Sequence, residues 1–196
     1  VYKRQGVQIE IPFQPAERSI ILANQGVHDG ELNRIAGMEA LYPNLIRVPE
    51  SSMTMAFSLF LRDQDPPIAS HAWEALRPHE IGFVEGWKIL EENTAGFPRI
   101  TRVNSARQLF RVLERGRVDG VLYSRLLGHA VLHDLGIDGI RAVDPPLAKR
   151  DMFIYLNRRH AALVPRLATA LREMKADGTH ARIIRESTAP FLPDGP

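Results

Sequence analysis

Apolar and polar positions along this chain follow two rhythms, a period of two that marks strands and a period near 3.6 that marks helices. Val7-Gln8-Ile9-Glu10-Ile11 alternates as a half-buried strand. Leu45-Ile46-Arg47-Val48, the stretch from Ala56 to Leu61, Ile81-Gly82-Phe83-Val84 and the stretch from Met152 to Leu156 predict further strands. Arg18 opens a helical run through Ile21 and Leu22 that ends at Gly26, and Arg107 opens a second through Phe110 and Val112 that ends at Gly116. Trp73 to Leu76 predicts a short helix, and Glu85-Gly86-Trp87-Lys88 turns into another. The clearest amphipathic helix runs from Ala161 to Lys175, with Leu163, Leu167, Leu171 and Met174 on one face and Asp177-Gly178 closing it.

Two of these segments echo each other. The first helical run leads into Gly26-Val27-His28-Asp29-Gly30 and then Glu31-Leu32; the second leads into Gly116-Arg117-Val118-Asp119-Gly120 and then Val121-Leu122-Tyr123. Each reads as a helix stopped by a left-handed glycine and followed by a strand, so the chain holds two copies of an α-then-β unit. Asp65-Pro66-Pro67 and Asp144-Pro145-Pro146 break the pattern on either side of the second copy. They predict two lobes with two crossings, residues 1–62 with 152–196 forming one lobe and 63–151 the other. Ligands of open α/β sheets bind beyond the carboxyl ends of the strands, which here would face an inter-lobe cleft. Four and five residues past each repeated aspartate stand Asn33 and Arg34 in one copy, and Tyr123 and Ser124 in the other.

Composition narrows the partners. Among 196 residues, 25 Lys and Arg face 23 Asp and Glu, a formal net charge of +2 with no basic run, which argues against a nucleic-acid partner. The absence of cysteine removes disulfides, thiolate nucleophiles and sulfur-bound metals. No apolar stretch approaches the roughly 18–20 residues that span a bilayer. Val1-Tyr2-Lys3-Arg4-Gln5 carries neither an initiator methionine nor an apolar leader, so the expectation is a chain processed or cut before Val1.

Ile81-Gly82-Phe83-Val84-Glu85-Gly86, Gly116-Arg117-Val118-Asp119-Gly120 and Met174-Lys175-Ala176-Asp177-Gly178-Thr179, in that order and spacing, resemble the family 3 extracellular solute-binding proteins. These are receptors of polar amino-acid ABC transporters. The resemblance implies an α/β, two-lobed, type II periplasmic-binding fold with two hinge crossings. It implies a small anionic or zwitterionic ligand, an inner-membrane ABC permease as partner, a periplasmic location, no cofactor, no metal and no catalytic residue. The family's first strand and helix have no counterpart here, so the resemblance also implies truncation at the N-terminus.

Carried over by position, the resemblance makes Arg34 the clamp for a ligand carboxylate, since a guanidinium offers a rigid fork of donors. Because Arg34 follows a strand end, its truncation is expected to leave the fold intact. Gly86-Trp87-Lys88 takes the place of the family's Gly followed by Ser or Thr, leaving backbone N–H groups for an anion and Trp87 as a wall. Where the family has an aspartate for an α-ammonium, this chain has Ser124, which counts against α-amino acids.

Plainer roles compete at each position: Arg34 paired with Glu31 or Glu39, Trp87 and Tyr123 as packing residues, Lys88 as a solvated charge. His129 and His133 lie four apart, as two metal ligands on one helix face would, without a third ligand nearby. Ser124 and His129 lack an orienting acid for nucleophilic catalysis. Arg158-Arg159 and the stretch Arg182 to Arg185 read as solvated faces. Rival functions on the same fold are the effector domain of a LysR-type regulator, a cyclohexadienyl dehydratase using Glu85, and the sensor domain of a histidine kinase.

Overall fold

The computed structural model describes residues 2, 5–12, 14–68 and 72–191. In chain order the elements begin with α1 (Ala16–Asn24), β1 (Gly30–Arg34), α2 (Met38–Leu41), β2 (Leu45–Arg47) and the long β3 (Met53–Arg62). After a 3-10 turn at Trp73–Leu76 come β4 (Ile81–Val84), α3 (Lys88–Asn93), β5 (Ile100–Val103), α4 (Ala106–Glu114) and β6 (Gly120–Ser124). The chain ends on α5 (Arg125–Leu135), β7 (Ile140–Ala142), the long β8 (Ala148–Asn157), a 3-10 turn at Arg158–Leu163, α6 (Val164–Ala176) and α7 (Thr179–Thr188). It divides into two units, Val1–Thr54 with Arg150–Pro196, and Met55–Lys149. The chain passes from one to the other within β3 and again within β8.

In the unit holding both termini, β8 pairs antiparallel with β1 and with β2. Its side chains alternate in the strand manner and serve two cores. Tyr155, with Phe153 beside it, packs with Ile20 and Ala23 of α1, Met38 of α2, Tyr42 and Leu45. Ile154 and Leu156, on the other face, pack with Val48 and with Leu167, Ala168 and Leu171 of α6. The spacing read for α6 is therefore its core face, although the helix starts only at Val164 because Arg158–Leu163 winds as a 3-10 turn.

In the unit of Met55–Lys149, β4 lies between β5 and β6 in parallel, and β3 joins β6 and β7 antiparallel. All four residues of β4 are buried, as expected of a strand covered on both faces. Leu109, Phe110 and Leu113 of α4 pack on this sheet with Phe60, Val121 and Tyr123. Ser105 caps α4, its Oγ accepting the Gln108 N–H at 3.2 Å, which satisfies one of the orphan donors of the first turn.

Two further expectations are corrected by the structure of these units. Residues 7–11 form no strand; Ile9 and Ile11 are 42% and 68% exposed, and alternation without a neighbouring ladder makes no strand. Arg158 and Arg159 are not merely solvated, since Arg158 donates to the Pro43 carbonyl at 2.9 Å and Arg159 ties down the repeated motif described next.

Candidate functional site

The repeated Gly-x-x-Asp-Gly fixes the amino ends of β1 and β6. Gly26 and Gly116 adopt φ of 78° and 65°, and the same pair of reversed bonds follows each. Gly26 and Val27 donate to the carbonyls of Ala23 and Leu22, and Gly116 and Arg117 to those of Leu113 and Val112. This is the left-handed helix stop in duplicate. The aspartates then hold neighbouring strands. Asp29 binds Arg159 and His160 just past β8, and Asp119 accepts the Glu80 N–H at 2.7 Å just before β4. The second glycine lets the returning strand press close. A Cβ on Gly30 would lie 2.4 Å from the Tyr155 carbonyl oxygen, and one on Gly120 would lie 2.8 Å from Leu59 Cδ1. All three repeated positions therefore work at the amino ends of β1 and β6, leaving the carboxyl ends for Asn33–Arg34 and Tyr123–Ser124.

At the end of β1 the register against β8 shifts between Glu31 and Arg34, and Asn33 sits there with φ of 57°. It is the one non-glycine residue with positive φ among the described residues, a conformation asparagine tolerates better than most. Its amide oxygen lies 3.0 Å from Ser52 Oγ. Arg34 pairs with Glu31, Nη2 to Oε1 at 3.0 Å and Nε to Oε1 at 3.1 Å, and donates to the Ala16 carbonyl. The side chains are only 13% and 10% exposed, and Ser19 Oγ completes the cluster on Glu31 Oε2 at 2.5 Å. Glu39, the other partner considered for Arg34, instead accepts the Tyr155 hydroxyl at 2.8 Å and pairs with Arg47.

At the ends of β4 and β6 two of the candidates, Trp87 and Tyr123, meet in an aromatic cluster. The Trp87 ring lies over Tyr123 with centroids 4.5 Å apart, and Phe57 approaches Trp87 edge-on at 5.8 Å. Ser124 is buried and caps α5, its Oγ accepting the Leu127 N–H at 3.4 Å. Gly86, at φ of 87°, donates its N–H to Glu91 Oε1 at 2.8 Å, while Lys88 Nζ reaches Glu91 Oε2 at 3.0 Å. Burial pushes the Glu91 carboxyl up, but Gly86, Lys88 and Arg102 together hold it below the ordinary carboxylate range.

No family model matches the sequence, and no curated protein matches it. Solved structures do match. An ancestral arginine-binding protein bound to glutamine superposes with a TM-score of 0.77 at 19% identity, over 94% of this chain and 82% of that one. A histidine kinase sensor domain with similarity to periplasmic binding proteins gives 0.79 at 15% identity, over 95% and 81%. A solute receptor for L-cysteine of Neisseria gonorrhoeae gives 0.77 at 13% identity, over 98% and 78%.

The fold is that of the type II periplasmic-binding proteins.

In this periplasmic-binding fold Trp87 and Tyr123, each a separate candidate from the sequence, come together, and with them come Glu91, Phe57 and Ser52, which are not among the candidates. Glu91 had a local signal, since it stands three residues beyond Lys88, a spacing that meets on a helix face. Phe57 and Ser52 had none, because only strand pairing and chain folding bring them to Trp87 and Asn33. His129 packs against the Phe60 ring at 5.8 Å, while His133 is exposed beside Asp134 at 3.9 Å. Burial, then the Arg125 charge, lowers the His129 pKa. Among the described residues no three His, Asp or Glu side chains gather around a common metal position.

Burial also pushes the Tyr123 hydroxyl up to about 12. A tyrosine ionises near pH 10 in the unfolded chain, so above that pH the unfolded state releases a proton that the folded state keeps. The stability due to Tyr123 is thus complete below about pH 10 and is lost as pH rises toward about 12. Urea unfolding between pH 9 and pH 11.5 should fall less steeply for Tyr123→Phe than for the wild type, the two curves diverging by roughly 1.4 kcal/mol per pH unit above about pH 10. Parallel slopes would place the Tyr123 hydroxyl in water.

Proposed function

We propose that this chain is a periplasmic solute-binding protein that captures a small carboxylate-bearing solute, amino-acid-like or another organic acid, for an inner-membrane ABC permease. The observation that carries the reading is the grouping at the strand ends. Trp87 stacks on Tyr123 beside the Lys88–Glu91 pair at the carboxyl ends of β4 and β6, and Arg34 with Asn33 ends β1. An amphipathic aromatic face with a few oriented polar groups is the usual make-up of a small-molecule site. The fold shared with an arginine-binding protein and an L-cysteine receptor supports the same reading. The candidate ligand contacts are Asn33 and Arg34 at the end of β1, and Gly86, Trp87, Lys88, Tyr123 and Ser124 at the ends of β4 and β6.

Capture for a sensor kinase is the second reading, favoured by the likeness to a histidine kinase sensor domain. It shares the ligand step and differs in the partner. Native mass spectrometry of the purified chain is expected to show a retained small molecule bearing a carboxylate, released on unfolding and rebound in calorimetric titration. A chain that retains nothing and gives no heat with the twenty amino acids and common organic acids would exclude ligand capture. Uptake by vesicles holding a candidate permease, or stimulation of a kinase, then separates the two partners.

A further inference from the structure

Positive charge is concentrated on one helix face. Residues 106–118 hold four arginines against one glutamate, +3, although the whole chain carries only +2. Arg107, Arg111 and Arg115 stand four residues apart, so they line one side of α4, and Arg117 follows the helix stop. The opposite side carries Leu109, Phe110 and Leu113 into the core. Arg111 pairs with Glu114 at 2.9 Å. Arg107, Arg115 and Arg117 are exposed, and no hydrogen bond, ion pair or ring engages their guanidinium groups. Among the described residues the only other arginines in that condition are Arg18 and Arg185.

Helix physics accounts for part of this row. Cations in the last turn meet the negative end of the helix dipole, which explains Arg111 and Arg115. Arg107 lies in the first turn, at the positive end, where no acidic residue offsets it. A cation there weakens the helix, so the reason for Arg107 lies outside the fold.

We propose that this face of α4 adsorbs on an anionic lipid bilayer, its arginines meeting the headgroup phosphates without insertion. Charge complementarity selects an acidic partner, and the lack of an apolar anchor selects the bilayer. Protein interfaces centre on buried aromatic or aliphatic anchors, whereas no large hydrophobic residue of α4 is exposed. Single-stranded nucleic acid requires aromatic side chains among the cations, and the one aromatic of α4, Phe110, is buried. A bilayer surface requires only positive charge within a Debye length of it. Each arginine so placed strengthens adsorption roughly fivefold, and three of them roughly a hundredfold.

The test is sedimentation of the full chain with vesicles of phosphatidylcholine, alone or with about one-third phosphatidylglycerol. At about 0.03 M salt the chain should partition onto the anionic vesicles at least about tenfold more strongly than onto the neutral ones, and about 0.5 M salt should release it. Arg107→Gln, Arg115→Gln and Arg117→Gln together should weaken adsorption roughly a hundredfold. Arg18→Gln, Arg172→Gln and Arg185→Gln together change the net charge equally and should weaken it less than about threefold. Glu114→Gln removes the one acid of the row and should strengthen adsorption roughly fivefold, a gain that misfolding cannot mimic. Arg107→Gln alone should leave the midpoint of urea unfolding unchanged or raise it; a fall would mean that the fold itself requires Arg107, against the inference. Equal losses in the two triple variants would assign adsorption to overall charge and overturn the proposal. Equal binding to both kinds of vesicle would overturn it too. Failure to adsorb at all would also overturn it, leaving an acidic protein as the partner that fits this face.

Discussion

Arg34→Ala is expected to weaken solute binding by well over tenfold and, in the same protein, to destabilise the unit of residues 1–54 and 150–196 by about 3 kcal/mol. Its position at a strand end suggested a truncation without structural cost. The pairing with Glu31 and the bond to the Ala16 carbonyl overrule that expectation, because removal leaves a carboxylate only 10% exposed without its cation. The two effects separate in a second variant. Arg34→Ala combined with Glu31→Gln removes both charges and should recover most of the stability in urea unfolding while binding stays weak. Arg34→Lys should restore the charge but not the fork, and so only part of the affinity. A double variant that binds L-glutamine like the wild type would take Arg34 out of the site. Full stability in Arg34→Ala would mean that water, not Arg34, compensates Glu31.

Gly30→Ala is expected to cost as much through sterics alone. Its Cβ would meet a backbone oxygen, that of Tyr155, at 2.4 Å, and Leu156 Cδ2 at 3.0 Å. Tyr155 is held on both sides, opposite Glu31 of β1 and Arg47 of β2, so its carbonyl has little room to withdraw. Forcing a methyl into such a site costs about 3 kcal/mol, at the upper end for overpacking. The twin position gives an internal comparison. At Gly120 the atoms met are Leu59 Cδ1 at 2.8 Å and Leu61 Cδ2 at 3.0 Å, side-chain ends that can turn. Gly120→Ala should therefore lose roughly half as much. Gly37→Ala, with nothing within 4 Å and φ of 94°, should lose only about 1 kcal/mol for the left-handed backbone. Midpoints of urea unfolding give the order Gly30, Gly120, Gly37; a Gly37 loss equal to that of Gly30 would mean that backbone conformation, not close approach, sets all three.

The repeat was legible in the sequence because its physics is local. A helix stop depends on a glycine and the four residues before it, and the strand that follows on the next few, so α1 with β1 and α4 with β6 could be read at both copies. The buried run of β4 and the core face of α6 were legible for the same reason, since each needs only one face of one element. Residues 7–11 show where such reading fails. Their alternation matches a strand, but a strand exists only where another offers a ladder.

The site divides along the same line. Spacing from the repeated aspartates named Asn33, Arg34, Tyr123 and Ser124 as candidates, and the family resemblance named Gly86, Trp87 and Lys88. The strands of the repeat run beyond the Glu31-Leu32 and Val121–Tyr123 read from the pattern, to Arg34 and Ser124. Tertiary structure decided what each of them touches. Trp87 and Tyr123 are 36 positions apart and stack only because β4 and β6 are neighbours in the sheet. Ser52 reaches Asn33, and Ser19 reaches Glu31, from segments with no periodic relation to either. The charge balance at the strand ends followed from those approaches, because an ion pair depends on distances of about 3 Å that spacing along a chain sets only within a single turn.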